Sequence, residues 1–376
     1  MPGTMRVAHL TSVHARYDSR IFWKQCRSLA AAGHDVTLVV ADGLPDELRD
    51  GVKIAGVARS SGRLGRMWHS ARNVLETALA LDCDLYHIHD PELLTIARKL
   101  KRKGKRVVFD AHEDLTVQIL QKPYLPRVLR GLVSKVYHSY EQSTVGEMDG
   151  VITATSGLMP NYVAVARNRE VVENFAIFAN YPARQLDFTR LRILHAGALT
   201  AARGLNNMLR LASALRESDR LVLAGRLEPT TPLSTLSPAE YLGVVPHDQL
   251  AEEYGKANVG VILYNPCGQY HMATAIKLYE YMAASMPVLV PDHGEWPEFV
   301  RSRACGVAVN VEDVEAQLEA LEWMRANPED AARMGRNGRL YAEENASWES
   351  AFRRLEGFYQ KVASAQQSPY RCREPW

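Results

Sequence analysis

The chain has 376 residues, 47% of them apolar and 23% charged, with a formal net charge of +2. That length suits two domains of ordinary size, and the apolar share excludes an intrinsically disordered chain. Cys26, Cys83, Cys267, Cys305 and Cys372 form no C-x-x-C pair, which excludes a zinc ribbon or a disulfide scaffold and suits a reducing cytoplasm.

Val7–Leu10, Val36–Val40, Leu85–His89, Val107–Asp110 and Val151–Ala154 read as short apolar strands alternating with helical stretches. Such alternation predicts a parallel, doubly wound sheet. The pattern restarts after Asn174 with Ile193–Gly197, Leu221–Ala224, Val259–Tyr264, Val288–Val290 and Gly306–Val309, so two Rossmann-like domains are expected, with a hinge over Asn174–Pro182. Near the end, Trp348, Phe352, Leu355 and Tyr359 make one apolar stripe on a helix over about 348–362. Met1–Arg6 leads straight into the first strand without space for a signal peptide, and no apolar run has membrane-spanning length. Charge is uneven. Residues 1–175 carry 24 Lys/Arg against 19 Asp/Glu, and seven of the nine residues Arg98–Arg106 are basic. That run reads either as a patch for an anionic membrane or as a solvated helix end before Gly104. It has no interleaved aromatics, which argues against a nucleic-acid partner.

The most informative segment is His271–Val290, where a loop opens a helix and Met286-Pro287 turns it into a strand. A helix start offers unpaired N–H groups and a positive dipole end, both suited to phosphate. Lys277 lies in the first turn, beside any bound diphosphate, and Glu280 one turn on can accept two hydrogen bonds from a ribose diol. The alternative is a solvated Lys–Glu pair. Arg203, in a glycine-containing turn after the strand Ile193–Gly197, has a guanidinium fork that suits phosphate oxygens. Arg226 is a weaker candidate. His112 ends a strand, where ligands of open α/β sheets bind, and Glu113 and Asp114 could orient it or accept from a hydroxyl. Asp18 reads as an acceptor-side group or a helix N-cap, and Asp90 as an acceptor-side group or the cap of a helix starting at Pro91. Asp82-Cys83-Asp84 has the form of a manganese-binding D-x-D but precedes a strand far from the donor segment, and reads as a loop.

The segment His271–Val290 resembles the donor-sugar motif of retaining family 4 glycosyltransferases of the GT-B fold. His9-Leu10-Thr11-Ser12, Tyr17–Phe22, Cys26–Val36, His87–Leu93, Asp110–Asp114, Asn174-Phe175, Ala196–Leu199 with Arg203-Gly204, and Leu223–Arg226 match the same family in the same order, over about residues 5–360. The resemblance is greatest to the bacterial surface-polysaccharide branch. It implies an α/β GT-B architecture: an acceptor-side domain over 1–175, a nucleotide-sugar domain over 176–354, the two facing across a cleft, and a helix and tail over 355–376 returning to the first. It also implies transfer of a sugar from a nucleotide-diphosphate sugar to a glycan or lipid-linked acceptor with retention and without metal or other cofactor. UDP is favoured over GDP by family frequency alone, with Gly243–His247 framing the base. The carried-over site is His112, Arg203, Lys277 and Glu280 for catalysis, and Gly197, Arg203, Arg226, Thr274, Ala275, Ile276, Lys277, Leu278 and Glu280 for the donor. Asp18, Asp90 and Glu113 stand on the acceptor side. Two positions depart from the family: Met272 replaces a common acidic residue, and His14–Asp18 replaces a glycine pair. The competing readings are a metal-dependent hydrolase using His87, His89 and His112, and a sugar-nucleotide epimerase of the same fold.

Overall fold

The computed structural model describes residues 3–60, 69–122, 125–271 and 275–365. It divides into two compact units, residues 1–174 with 351–376, and residues 175–350.

The first unit holds strands β1 (Arg6–Thr11), β2 (Asp35–Val40), β3 (Glu47–Arg49), β4 (Val52–Gly56), β5 (Leu85–Ile88), β6 (Arg106–Ala111), β7 (Gly150–Thr153) and β8 (Arg169–Val171). They form one sheet in the order β3-β4-β2-β1-β5-β6-β7-β8, parallel except where β3 meets β4. Alternation along the strands sends Ala8, Leu10, Tyr86, Ile88, Val107 and Phe109 into one apolar core. The same alternation points His9, His87 and Asp110 the other way, and the register sets His9 directly beside His87. Three edge or near-edge strands, β3, β4 and β8, are not legible in the sequence as apolar runs. They are short, and β4 buries only alternate residues.

The helix expected from Ser19 begins as a π-helical turn, Ile21–Cys26, whose six residues are all buried, and continues as Arg27–Ala31. The wider turn brings both Arg20 and Gln25 onto Asp110. Helix Trp348–Ser364 exceeds its predicted length by two residues, and from Ala351 on it belongs to the first unit, with Leu355 and Tyr359 fully buried.

The second unit is an all-parallel sheet of β9 (Arg192–Ala196), β10 (Arg220–Ala224), β11 (Glu240–Gly243), β12 (Val259–Val261), β13 (Val288–Pro291) and β14 (Gly306–Val309), in the order β11-β10-β9-β12-β13-β14. Both faces are covered. Ile193, Leu221, Leu223 and Leu289 enter one core, while Leu194, Val222, Val288 and Val290 enter the other. β12 stops three residues short of the predicted Tyr264, although Ile262–Tyr264 stay buried. Among the described residues no helix is long and apolar enough to cross a membrane.

Candidate active site

In the first unit the functional groups gather at the carboxyl ends of β1, β5 and β6, where an open parallel sheet leaves a crevice. Asp90 follows β5 and is nearly fully buried. It does not cap the helical turn Pro91–Leu93 through its side chain, as its position before Pro91 suggested. Instead its Oδ2 accepts from Ser12 N at 2.5 Å, Thr11 Oγ1 at 2.9 Å and Val13 N at 3.1 Å, clamping the loop after β1. Three unpaired donors of an irregular loop outweigh one helix end. His14 in that loop lies between Asp18 (3.4 Å) and Asp90 (3.3 Å), and its ring centroid is 5.0 Å from that of His112. Burial opposes a charge on His14, but the hydrogen bond to Asp18 and the field of Asp90 outweigh it and raise its pKa. Burial likewise opposes ionisation of Asp18, yet His14 and the N–H groups of Ile21 and Arg20 hold its carboxyl well below the usual range. Those same N–H bonds, 2.9 and 2.8 Å, are the expected cap of the helical turn, and they leave the other carboxylate oxygen of Asp18 to His14.

His112 follows β6 and is partly exposed, with its Nε2 at 3.4 Å from Asp110 and 3.3 Å from His89. Neither Glu113 nor Asp114 orients it. Glu113 is exposed and bonded to Gln118, and Asp114 caps helix Leu115–Gln121 through Val117 N. Behind His112 runs a buried chain: His89 to His9 at 2.8 Å, His9 to the Tyr359 hydroxyl at 3.3 Å, and that hydroxyl to His87. Burial keeps these imidazoles neutral, with His89 pushed down to about 3. Burial also opposes the charge on Asp110, but Arg20, at 2.7 and 2.9 Å, and then His112 hold it ionised.

Two groups in this cluster have ligand atoms close enough to share a metal, His9/His87/His89 and His89/Asp110/His112. Donors around a tetrahedral zinc stand about 3.3 Å apart, given bonds of about 2.0–2.1 Å. The 2.8 Å separation of His9 and His89 is a hydrogen bond instead. In the second group the spacing would suit a metal, but Asp110 Oδ2 already accepts from Arg20 and from Gln25 at 2.8 Å, and the guanidinium opposes a further cation there. Asp82 and Asp84 are held by Lys105 and Arg6, which makes Asp82-Cys83-Asp84 a loop pinned by ion pairs.

The second unit builds its site on β9, β10 and helix Ile276–Ala283. Gly197 after β9 has φ +143°, and a Cβ there would lie 2.5 Å from Lys277 Nζ. Gly225 after β10 has φ +147°, and its Cβ would fall 1.9 Å from the Gly197 carbonyl. Only glycines permit this approach, which leaves bare backbone around the ammonium. Lys277 is no solvated partner of Glu280. It is 6% exposed, its Nζ is 3.0 Å from His195 Nε2, and it sits over the Tyr264 ring at 5.2 Å. His195 Nδ1 lies 3.0 Å from the Val261 carbonyl, so Nδ1 donates there and Nε2 accepts from Lys277. Burial, then the nearby Arg203, push the Lys277 pKa well below its ordinary value. Among the described residues no ion pair includes Lys277.

Arg203 is fixed by a tight turn: its N–H and that of Gly204 donate to Thr200 and Ala201, and Gly204, at φ +74°, packs against Leu263. Its Nε reaches the Tyr270 hydroxyl at 3.3 Å, and Tyr270 lies against Tyr264. Glu280 is half-buried and accepts from the Tyr254 hydroxyl at 2.5 Å. Ala275 stands at the N-cap without a side-chain bond, Ile276 is exposed, and Leu278 is buried in the core, so it can offer a ligand only its backbone. Arg226 is exposed after β10. Thr274 and Met272 lie outside the described residues. Gly243 closes β11 and its carbonyl accepts from Gly225 N at 2.7 Å.

The structure thus brings Gly197, Arg203, Lys277 and, one turn away, Glu280 together, and separately Asp18, Asp90 and His112. It leaves Glu113 and Arg226 turned to solvent. Sequence reasoning misses His195, Tyr254, Tyr264 and Tyr270 on one side and Arg20, Asp110 and His14 on the other. The available signals were a histidine inside the apolar strand Ile193–Ala196 and the place of Arg20, Asp110 and His14 in or beside the motif segments, none of which shows what these residues touch.

Residues 19–173 match the model of Glycosyltransferase Family 4, and residues 182–341 match that of Glycosyl transferases group 1. The chain belongs to the GT-B glycosyltransferases. Solved GT-B relatives share the architecture at low identity. Sucrose-phosphate synthase from Thermosynechococcus elongatus superposes with a TM-score of 0.68 at 17% identity, covering 95% of this chain and 98% of that one. A glycosyltransferase from Rickettsia africae gives 0.67 at 12%, covering 96% and 100%, and Anabaena HepE in complex with UDP-glucose gives 0.65 at 12%, with the same coverage. A comparison with curated sequences gave no match.

Proposed function

We propose that this GT-B glycosyltransferase moves a sugar from a nucleotide-diphosphate sugar to a glycan or lipid-linked acceptor with retention of configuration, in bacterial surface-polysaccharide synthesis. The donor binds the unit over 176–354, and the acceptor the unit over 1–175 with its returning helix. The observation that carries this is Lys277, buried without a carboxylate partner, aimed by His195 at the glycine backbone of Gly197 with Arg203 close by. A buried cation in such a place is unfavourable until an anion joins it, and a diphosphate fits both cations and the N–H groups at the start of helix Ile276–Ala283. Glu280 then accepts from the ribose. UDP is the preferred base carrier, consistent with the UDP-glucose held by Anabaena HepE.

In this reading the departing phosphate takes the acceptor proton on the face it leaves. Arg203 and Lys277 stabilise its growing charge, and His112, fixed by Asp110 and His89, lines the sugar side. Asp18 and Asp90 favour the protonated form of His14 on the acceptor side. No step is assigned to a metal. The test is turnover with a panel of UDP- and GDP-sugars in EDTA, with products read by proton NMR. A retained anomeric configuration without added metal is expected. An inverted product, or activity lost in EDTA and restored by manganese, would overturn the mechanism. Arg203→Ala should lower kcat more than it weakens donor binding, because its contribution grows in the transition state.

A further inference from the structure

Helix Arg127–Val145 is amphipathic in the reverse sense for a core helix. Apart from Val145 at its last position it buries Ser134, Glu141 and Thr144, and it exposes Val128 at 88%, Leu132 at 62% and Val136 at 61%. These three are spaced by four residues and form one stripe, widened by Leu129 and Val133. Helix Leu115–Gln121 is bound to it through Ser134 Oγ and the Thr116 carbonyl at 3.0 Å, and leaves Val117 and Leu120 about half exposed on the same unit. Exposed apolar area of this extent on a soluble unit marks an interaction surface.

Charge says which partner it fits. Residues 115–140 contain Lys122, Arg127, Arg130 and Lys135 and not one Asp or Glu. Arg127 and Lys135 are exposed beside the stripe. A second copy of the chain pairing through this face would bring the same cations together with no acid of the segment to meet them. A lipid surface supplies both the phosphates and the apolar layer. The basic run Arg98–Arg106 suits that role less well, because Arg98, Lys101 and Lys105 are engaged by Glu147, Asp149 and Asp82.

We propose that this face docks the protein on an anionic bilayer, helix Arg127–Val145 lying in the interfacial plane with Val128, Leu132 and Val136 among the acyl chains. The inference deepens the lipid-linked acceptor reading and rests on it only for its purpose. Asp114, two residues beyond His112, caps the first of the two helices, so the docked face is continuous in sequence with the strand end that carries His112.

Docking is measured without turnover, by co-sedimentation with vesicles of phosphatidylglycerol and phosphatidylethanolamine, so its failure and that of the transfer reading are separable. Three variants are compared with the full chain: Val128→Gln with Leu132→Gln and Val136→Gln; Arg127→Gln with Lys135→Gln; and Lys99→Glu with Arg102→Glu and Lys103→Glu. Circular dichroism and nucleotide-induced thermal shift confirm that each is folded. The apolar triple variant should lose about a thousandfold or more in vesicle affinity, on the scale of transferring three large apolar side chains. The Arg127/Lys135 variant should lose affinity for these vesicles but not for neutral phosphatidylcholine. Salt should weaken the wild type without releasing it, since screening over about 10 Å at 0.1 M acts only on the charges. Wild-type affinity in the apolar triple variant would overturn the proposal. So would loss of binding confined to the Lys99/Arg102/Lys103 variant, or a wild-type dimer that the apolar substitutions dissolve in a protein that ignores vesicles.

Discussion

Burying an ammonium away from any carboxylate destabilises a fold, because the charge loses water and gains no counterion. Lys277 makes no ion pair among the described residues, and Glu280 offsets its burial only in part, so Lys277→Met should raise unfolding stability by about 1–3 kcal/mol while weakening nucleotide-diphosphate binding by about 10- to 100-fold, the scale of a charge-assisted hydrogen bond. Chemical denaturation and calorimetry of the same variant check both halves. A variant less stable than the wild type would show that Lys277 already has its counterion. The pH dependence follows in sign. The folded pKa of Lys277 is lowered, so between it and 10.5 the unfolded chain binds more protons and this group's contribution to stability rises with pH. In the proposed function an arriving diphosphate raises that pKa again. Between the free and the bound pKa of Lys277, binding should therefore take up a proton, and affinity should fall as pH climbs above the free protein's value. Calorimetry in buffers of different ionisation enthalpy measures that uptake, and the Lys277→Met protein should lack it.

Among the elements, the turn after β9 sets the reach of Arg203. Gly204 holds it at φ +74°, where a Cβ would stand 1.7 Å from the Leu263 carbonyl. Gly204→Ala adds both left-handed strain and a backbone clash, and should cost at least about 2 kcal/mol by denaturant midpoint. It should also lower kcat through displacement of Arg203. A near-neutral Gly204→Ala would mean the turn is soft and Arg203 is placed by Tyr270 instead. How legible the elements were follows from burial. Strands covered on both faces, such as Leu221–Ala224, read as continuous apolar runs. β3, β8 and β11 lie at sheet edges, half-exposed and three or four residues long, so no run marks them. Asp90 and Glu113 show the same limit for side chains. Position beside a helix start suggested a cap for Asp90, and position beside His112 suggested an orienting role for Glu113. The unpaired N–H groups of the β1 loop claimed the first, and Gln118 the second.

For the whole molecule, the division of the chain assigns residues from Ala351 on to the first unit. Its buried contributions there are Ala351, Leu355, Phe358, Tyr359 and Val362, and the Tyr359 hydroxyl serves both His87 and His9. Tyr359→Phe should destabilise the first unit by about 1–3 kcal/mol, because two buried imidazoles lose a partner. Native-state hydrogen exchange should then show lost protection in β1 and β5 and unchanged protection in β9 and β10. Equal loss in both units would show that they unfold as one.

Hydrophobic periodicity, glycine and proline placement and the order of the motifs were enough to determine two doubly wound domains and to single out the helix that carries Lys277 and Glu280. These are local signals, set by backbone geometry and by which faces must leave water. Which polar groups meet was decided only by the tertiary structure. Parallel register set His9 beside His87, a π-helical turn carried Arg20 and Gln25 to Asp110, and β9 offered His195 to a lysine 82 residues away. Such pairings depend on contacts between distant strands and helices, and hydrogen-bond demand in a buried site leaves no period in a sequence.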